Sequence, residues 1–267
     1  MTATSRVSAE ATAAWHSFVR RRTAVFFTFF FPVILILIFA VLVQTNPGGG
    51  GGGGLFTEPA GYYLPGYLAV VVLFTPLSRV GSTVARHREG NRFEKLATTP
   101  LSRAEWLLAH TLVNVVIIGI ASLIILGLMA LVTGTANLAL GPANLAIVAV
   151  FVAFAVALFC GLGAMLGSLA DSQDGVIAAS NAIALPLLFL SNTFVTPELL
   201  PAWFRPAMSL SPLTYFARGV RDVTYPQMEI MRVGGSSLVG WQFNLAILAV
   251  LTVVFFAVGA ALIPQTD

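Results

Sequence analysis

Charged side chains are scarce in this sequence, at 9% of its 267 residues against 57% hydrophobic ones. A soluble domain carries roughly a quarter charged residues on its surface, so water is excluded as the solvent for most of the chain. Lysine is nearly absent: Lys95 stands alone beside 13 arginines. It is followed by Leu96, which excludes a G-x-x-x-x-G-K-[ST] phosphate loop and ATP binding of that kind. Cys160 is the single cysteine, so no disulfide can form within the chain. His16, His87 and His110 are scattered rather than spaced as metal ligands, and the spans offer no Ser and His pair or paired Asp for intramembrane hydrolysis. Neither catalysis nor a metal or cofactor is expected of this chain.

Apolar residues dominate instead. About 20 consecutive ones are needed to cross the hydrocarbon core of a bilayer, and such stretches run over 23–43, 62–83, 106–132, 143–170, 176–196 and 241–263. The expectation is an all-α integral membrane protein of six transmembrane helices, with 1–267 forming one membrane domain. Basic residues, retained on the cytoplasmic side, set its orientation. Four arginines precede the first span (Arg6, Arg20, Arg21, Arg22), none occurs from 44 to 61, and six basic residues lie between Arg79 and Arg103. The N-terminus is therefore expected inside. One segment disagrees: 197–240 carries Arg205, Arg218, Arg221 and Arg232, yet six-span parity places it outside.

Before the first span, Val7, Ala11, Ala14, Trp15 and Phe18 recur at helical spacing. They predict an amphipathic helix lying on the inner membrane surface. The glycines from Gly48 to Gly54 read as a flexible external loop without chemistry. In the fourth span Gly163 and Gly167 form a G-x-x-x-G pair, which lets a second helix approach closely, either within the chain or from a second copy.

Ion-coupled transporters place ionisable groups inside the bundle. Here Arg79, Glu105 and His110 fall at predicted span ends, and the mid-span polar residues are amides and hydroxyls such as Asn114, Ser122, Asn181 and Thr252. Ion-driven transport is disfavoured, and energy must come from a partner. Two segments are candidates for mechanism. In the cytoplasmic loop, Gly90 and Pro100 bracket a short helix-forming run whose Phe93, Leu96 and Ala97 share a helical face. Such a stub suits a groove on another protein. Residues 191–222 contain Thr196-Pro197-Glu198 and Ser211-Pro212, each an N-cap followed by proline at the first helical position. The helices predicted there, 197–208 and 212–223, are too short to span ~30 Å. They suit a re-entrant external hairpin in the outer leaflet, with Arg205, Arg218 and Arg221 reaching headgroups.

At these segments the chain resembles the membrane subunits of type-2 ABC exporters, the group of drug-, lipid- and polysaccharide-export permeases. The family's E-x-G-x-x-E-x-L-x-x-x-P-like pattern is matched by Glu89, Gly90, Glu94, Leu96 and Pro100, and its N/S-P-L-T-Y-like motif by Ser211, Pro212, Leu213, Thr214 and Tyr215. The resemblance implies an N-terminal interfacial helix, and a coupling helix over 89–99 that includes Arg92, Phe93 and Lys95. It also implies a re-entrant hairpin with Pro197, Glu198 and Trp203. The implied partners are a separate ABC ATPase subunit and a second permease chain, in a homodimer or heterodimer, within the plasma membrane. Nucleic acid is not among them. An ion-gradient-driven secondary exporter and a non-transporting membrane assembly factor are the competing readings.

Overall fold

A computed structural model describes residues 2–38, 60–133, 138–194, 200–225 and 240–264. The regular structure among them is helical. In chain order it consists of α1 (Ala3–Val19), α2 (Arg22–Ile36), α3 (Leu64–Glu89), α4 (Arg92–Ala97), α5 (Arg103–Thr133), α6 (Pro142–Leu169), α7 (Gln173–Leu190), α8 (Pro212–Thr224) and α9 (Trp241–Leu262). Short 3-10 helices at Ala60–Tyr63 and Arg205–Leu210 precede α3 and α8. Five of these, α3, α5, α6, α7 and α9, are long and apolar enough to cross a membrane, and α2 contributes a shorter apolar helix. The protein is thus a multi-pass, all-helical membrane protein. The Gly48–Gly54 run, Pro197, Glu198 and Arg232 lie outside the described residues.

Prolines open several helices, standing in the first turn of α3, α6 and α8. There the missing N–H would have no helical partner anyway. Pro32, Pro76 and Pro186 fall inside α2, α3 and α7, a position tolerated in membrane helices where neighbours satisfy the freed carbonyl.

α6 is the centre of the bundle, packed against α3 on one side and α9 on the other. Glycines set both contacts. A β-carbon on Gly163 would lie 2.5 Å from the carbonyl oxygen of Leu77, and one on Gly81 would lie 2.8 Å from that of Gly163. One on Gly167 would collide with the carbonyl of Gly81. On the opposite face, a β-carbon at Gly161 would lie 2.5 Å from the oxygen of Phe255 in α9. Lipid tails are as apolar as leucine, so close backbone approach of this kind, not hydrophobic burial, drives helix association. The Gly163 and Gly167 pair is occupied within the chain, by α3.

Two expectations change. The apolar stripe of α1 is covered by protein: Ala14 and Phe18 are buried in the core, with Ala11 and Trp15 packed against it, and α1 lies along α5. The first limb of the hairpin is not a continuous α-helix over its described residues from 200 onward. Its described part makes turns and then the Arg205–Leu210 3-10 helix, because Pro201 and Pro206 withhold the amides a longer α-helix needs.

Glycine replacement tests the packing. Gly163→Leu and Gly167→Leu should each abolish monodisperse protein after detergent extraction, since backbone atoms cannot move aside. Gly127→Leu, whose β-carbon would meet nothing within 4 Å, should elute like the wild type.

Candidate functional site

The α3–α6 contact delivers the end of α3 beside the α6–α7 turn. Arg88 Nη1 donates to three carbonyls there, Gly167 (3.3 Å), Ser168 (3.0 Å) and Ala170 (2.8 Å). These lie at the C-terminal end of α6, where carbonyls lack helical partners and carry partial negative charge. The next residue does the reverse: Glu89 Oε1 accepts the backbone N–H of Gln173 at 2.9 Å, at the positive N-terminus of α7. Two consecutive side chains therefore grip both ends of one turn.

The chain then reverses through Gly90 and Asn91. Asn91 takes the left-handed conformation, φ 49°, which asparagine tolerates better than most residues. This aims α4 so that Phe93 turns inward. Phe93 is only 7% exposed, its ring 5.4 Å from that of His87 on α3 and 5.5 Å from that of Trp106 on α5. Trp106 in turn lies 4.1 Å from His110. Arg92, Glu94, Lys95 and Ala97 remain exposed, and Leu96 is half-buried. The sequence grouped Phe93 with Leu96 and Ala97 as one docking face. All three line one groove, but Phe93 is buried, Leu96 half-buried and Ala97 exposed, so the face turns toward the body of the protein, leaving Glu94 and Lys95 outward and the ring as the stub's anchor. A groove of about 410 Å³ between Leu96, Leu101, Trp106 and Ile263 runs beneath α4.

After α4 the backbone N–H of Ser102 donates to Glu105 Oε2 (2.8 Å), while that of Glu105 donates to Ser102 Oγ (3.2 Å). This is a reciprocal capping box, and it fixes the start of α5. Arg6 of α1 closes on the same carboxylate through Nε (3.2 Å) and Nη2 (2.5 Å). One turn further along α1, Glu10 accepts a hydrogen bond from His110 Nε2 at 3.3 Å. Two turns beyond that, the guanidinium of Arg79 sits 4.4 Å above the Phe18 ring. Arg103 Nη1 donates to Ala261 O at 2.8 Å, tying the start of α5 to the last turn of α9.

The second candidate segment lies at the opposite end of the bundle, with Tyr62 and Ala139, whose N–H donates to Thr224 O at 2.8 Å. Pro212, Leu213 and Thr214 are buried in α8, Tyr215 is half-buried with its hydroxyl donating to Ser209 O (3.0 Å), and Trp203 is exposed. Ser211 Oγ donates to Leu187 O at 2.8 Å, fastening the hairpin to the end of α7. Arg221 does not reach headgroups. It is 1% exposed, donates to Tyr62 O (3.1 Å) and Asn192 O (2.9 Å), and lies 3.9 Å above the Tyr62 ring. A guanidinium can be buried at such depth only with partners like these.

A family model for ABC-2 type transporters matches residues 7–225. The chain belongs to the ABC-2 type transporter family. It is also 26% identical over 176 residues to the daunorubicin resistance ABC transporter permease protein DrrB1 of Streptomyces coeruleorubidus, across 65% of this chain and 60% of that protein. The chain thus spans about 60% of the length of that curated relative. The match to the ABC-2 family takes in both candidate segments, from α1 to the end of α8.

Sequence reasoning missed the roles of four residues. Ser102 and Glu105 carry the S-x-x-E spacing of a capping box and could have been found. The roles of Arg88 and Arg103 as donors to helix ends have no local signal.

The Glu10 contact gives the docking of α1 a pH dependence. The hydrogen bond from His110 holds the Glu10 carboxyl below its ordinary value of 4.5, outweighing burial, which acts the other way. The stabilisation is therefore complete above pH 4.5 and is lost as pH falls through the lowered value. A probe on Ala9→Cys in a Cys160→Ser background should gain mobility across that acid range. In Glu10→Gln the acid step should shrink rather than vanish, because the Arg6–Glu105 contact also holds α1, and an unchanged step would refute the assignment.

Proposed function

We propose that this chain is the membrane-spanning permease subunit of an ATP-driven exporter, coupled through α4 to a separate ATPase subunit. A second permease chain completes the path, in a plasma membrane with the arginine-rich end and the N-terminus in the cytoplasm. The membership of the ABC-2 family supports this reading, as does a relative named as an ABC transporter permease. The observation that carries it is α4 itself: a six-residue helix standing out between two membrane spans, with Glu94 and Lys95 exposed and Phe93 locked between them.

In this reading the ATPase supplies the hydrolysis and the permease converts its motion. Force on Glu94 and Lys95 passes through the Phe93 ring to His87 on α3 and Trp106 on α5. The same displacement pulls on Arg88 and Glu89, and through them on the α6–α7 turn. All the helices gathered at this end then move together, which alternates access to a path between two copies. The cargo is of amphipathic class; the relative's name places that protein in resistance to a drug.

Docking and transmission are separable. Glu94→Arg with Lys95→Glu should abolish copurification of the ATPase from its native membrane while leaving insertion intact. Phe93→Ala should retain copurification but lose transport and the stimulation of ATP hydrolysis, since deleting a buried phenylalanine ring costs about 3–5 kcal/mol of packing. Normal transport in both variants would overturn the role of α4.

A further inference from the structure

A cavity of about 620 Å³ lies in the angle where α1 bends into α2 and faces α7, with Arg92 of α4 in its lining. Its size is that of a site for a small organic molecule. One part of its wall is cationic, with Arg21, Arg79, Arg86 and Arg92. The other is aromatic, with Phe27, Phe31 and Phe74. Glu10 is the single acid in the lining, and it is engaged by His110.

The four guanidiniums are not neutralised. Among the described residues, none of them has a carboxylate within ion-pair distance. Arg79 has only a 3.4 Å contact to Asn114 Oδ1 and the ring of Phe18, and Arg86 only a 3.5 Å contact to Thr83 Oγ1. Arg79 is also set back: ten residues separate it from the end of α3, or about 15 Å at the helical rise. It is half-buried. An unpaired arginine set back in a cleft, with three more in the same lining, attracts anions and repels cations. The planar forks of arginine fit phosphate and carboxylate oxygens, and basic pockets between membrane helices hold anionic headgroups.

We propose that this cleft binds an anionic amphiphile, its phosphate or carboxylate head on Arg79 with Arg21 and Arg86, its hydrocarbon chain along Phe27, Phe31 and Phe74. Phe27 and Phe31 are 60% and 47% exposed, so the chain would leave the cleft sideways into the bilayer. A resident membrane lipid and an exported amphiphile share this head chemistry. The inference stands on the cleft and does not require the export reading.

The test uses the full chain in phosphatidylcholine nanodiscs, titrated with tail-labelled phosphatidic acid or with phosphatidylcholine bearing the same label. At about 1 kcal/mol for each basic residue near an anionic headgroup, removing one arginine should weaken phosphatidic acid binding about fivefold. Arg21→Gln with Arg79→Gln should therefore erase most of the preference over phosphatidylcholine. Arg79→Lys, which keeps the charge, should retain most of it and guards against loss of fold. Arg218→Gln, at the opposite end, should have no effect. Equal binding of the two lipids by the wild type, or a preference that survives Arg21→Gln with Arg79→Gln or falls equally in Arg218→Gln, would overturn the proposal. Once binding is established, the ATPase subunit and ATP distinguish the sources. Redistribution of the labelled phosphatidic acid between leaflets of a liposome marks it as cargo; retention marks it as a bound lipid, and either outcome upholds the site.

Discussion

Everything at the arginine-rich end of this protein depends on how closely α3 approaches α6. Gly81, Gly163 and Gly167 remove the side chains that would hold the two backbones apart. The resulting contact fixes where α3 ends, and α3 ends in Arg88 and Glu89. Were the helices separated by even the width of a methyl group, Arg88 could not reach three carbonyls of α6, nor Glu89 the first amide of α7. The contact thus determines packing and, through two side chains, the geometry of the turn beyond it.

The same end shows how a short helix can be both exposed and mechanically attached. Six residues are too few for α4 to be stable alone. It is held by Asn91 in a left-handed conformation and by one ring, Phe93, set among His87, Trp106 and, through Trp106, His110. His110 carries the connection to Glu10, and Glu105 carries another to Arg6. α1 is therefore part of this assembly, clamped along α5 by an ion pair and a hydrogen bond one turn apart. Motion imposed on α4 would be felt in α1, α3 and α5 without any long chain of intermediates.

The spans were legible because a run of some 20 apolar residues has few alternatives. Less could be read wherever the outcome depended on what covers a surface. The stripe of Ala11, Ala14, Trp15 and Phe18 is the same whether it lies on lipid or on protein, and here α5 covers it. Phe93, Leu96 and Ala97 do share a helical face and line one groove, but how deeply each is buried depends on what lies opposite, and only Phe93 is enclosed. Partners distant in sequence were invisible: Arg6 meets Glu105 across 99 positions, and Arg221 meets Tyr62 across 159. The capping box of Ser102 and Glu105, by contrast, is three residues wide and needs no knowledge of the fold.

Arginine in this chain does two jobs that composition alone cannot tell apart. Counted as markers of the cytoplasmic side, the four in 197–240 contradict six-span parity. The packing accounts for two of the four. Residues 200–225 share an end of the bundle with Tyr62, Asn192 and Ala139, opposite α1 and α4, as parity requires. Arg221 is spent there on the carbonyls of Tyr62 and Asn192, and Arg205 donates to Leu200 O at 3.3 Å. These are donors to backbone that has run out of helix, as Arg88 and Arg103 are at the other end. A guanidinium has five N–H groups and no acceptor, which suits it to several carbonyls at once. An arginine fully used in this way is fixed by the fold rather than by the side of the membrane. Among the described residues, four arginines not spent on carbonyls or carboxylates, Arg21, Arg79, Arg86 and Arg92, gather in one cleft at the end that the charge rule marks.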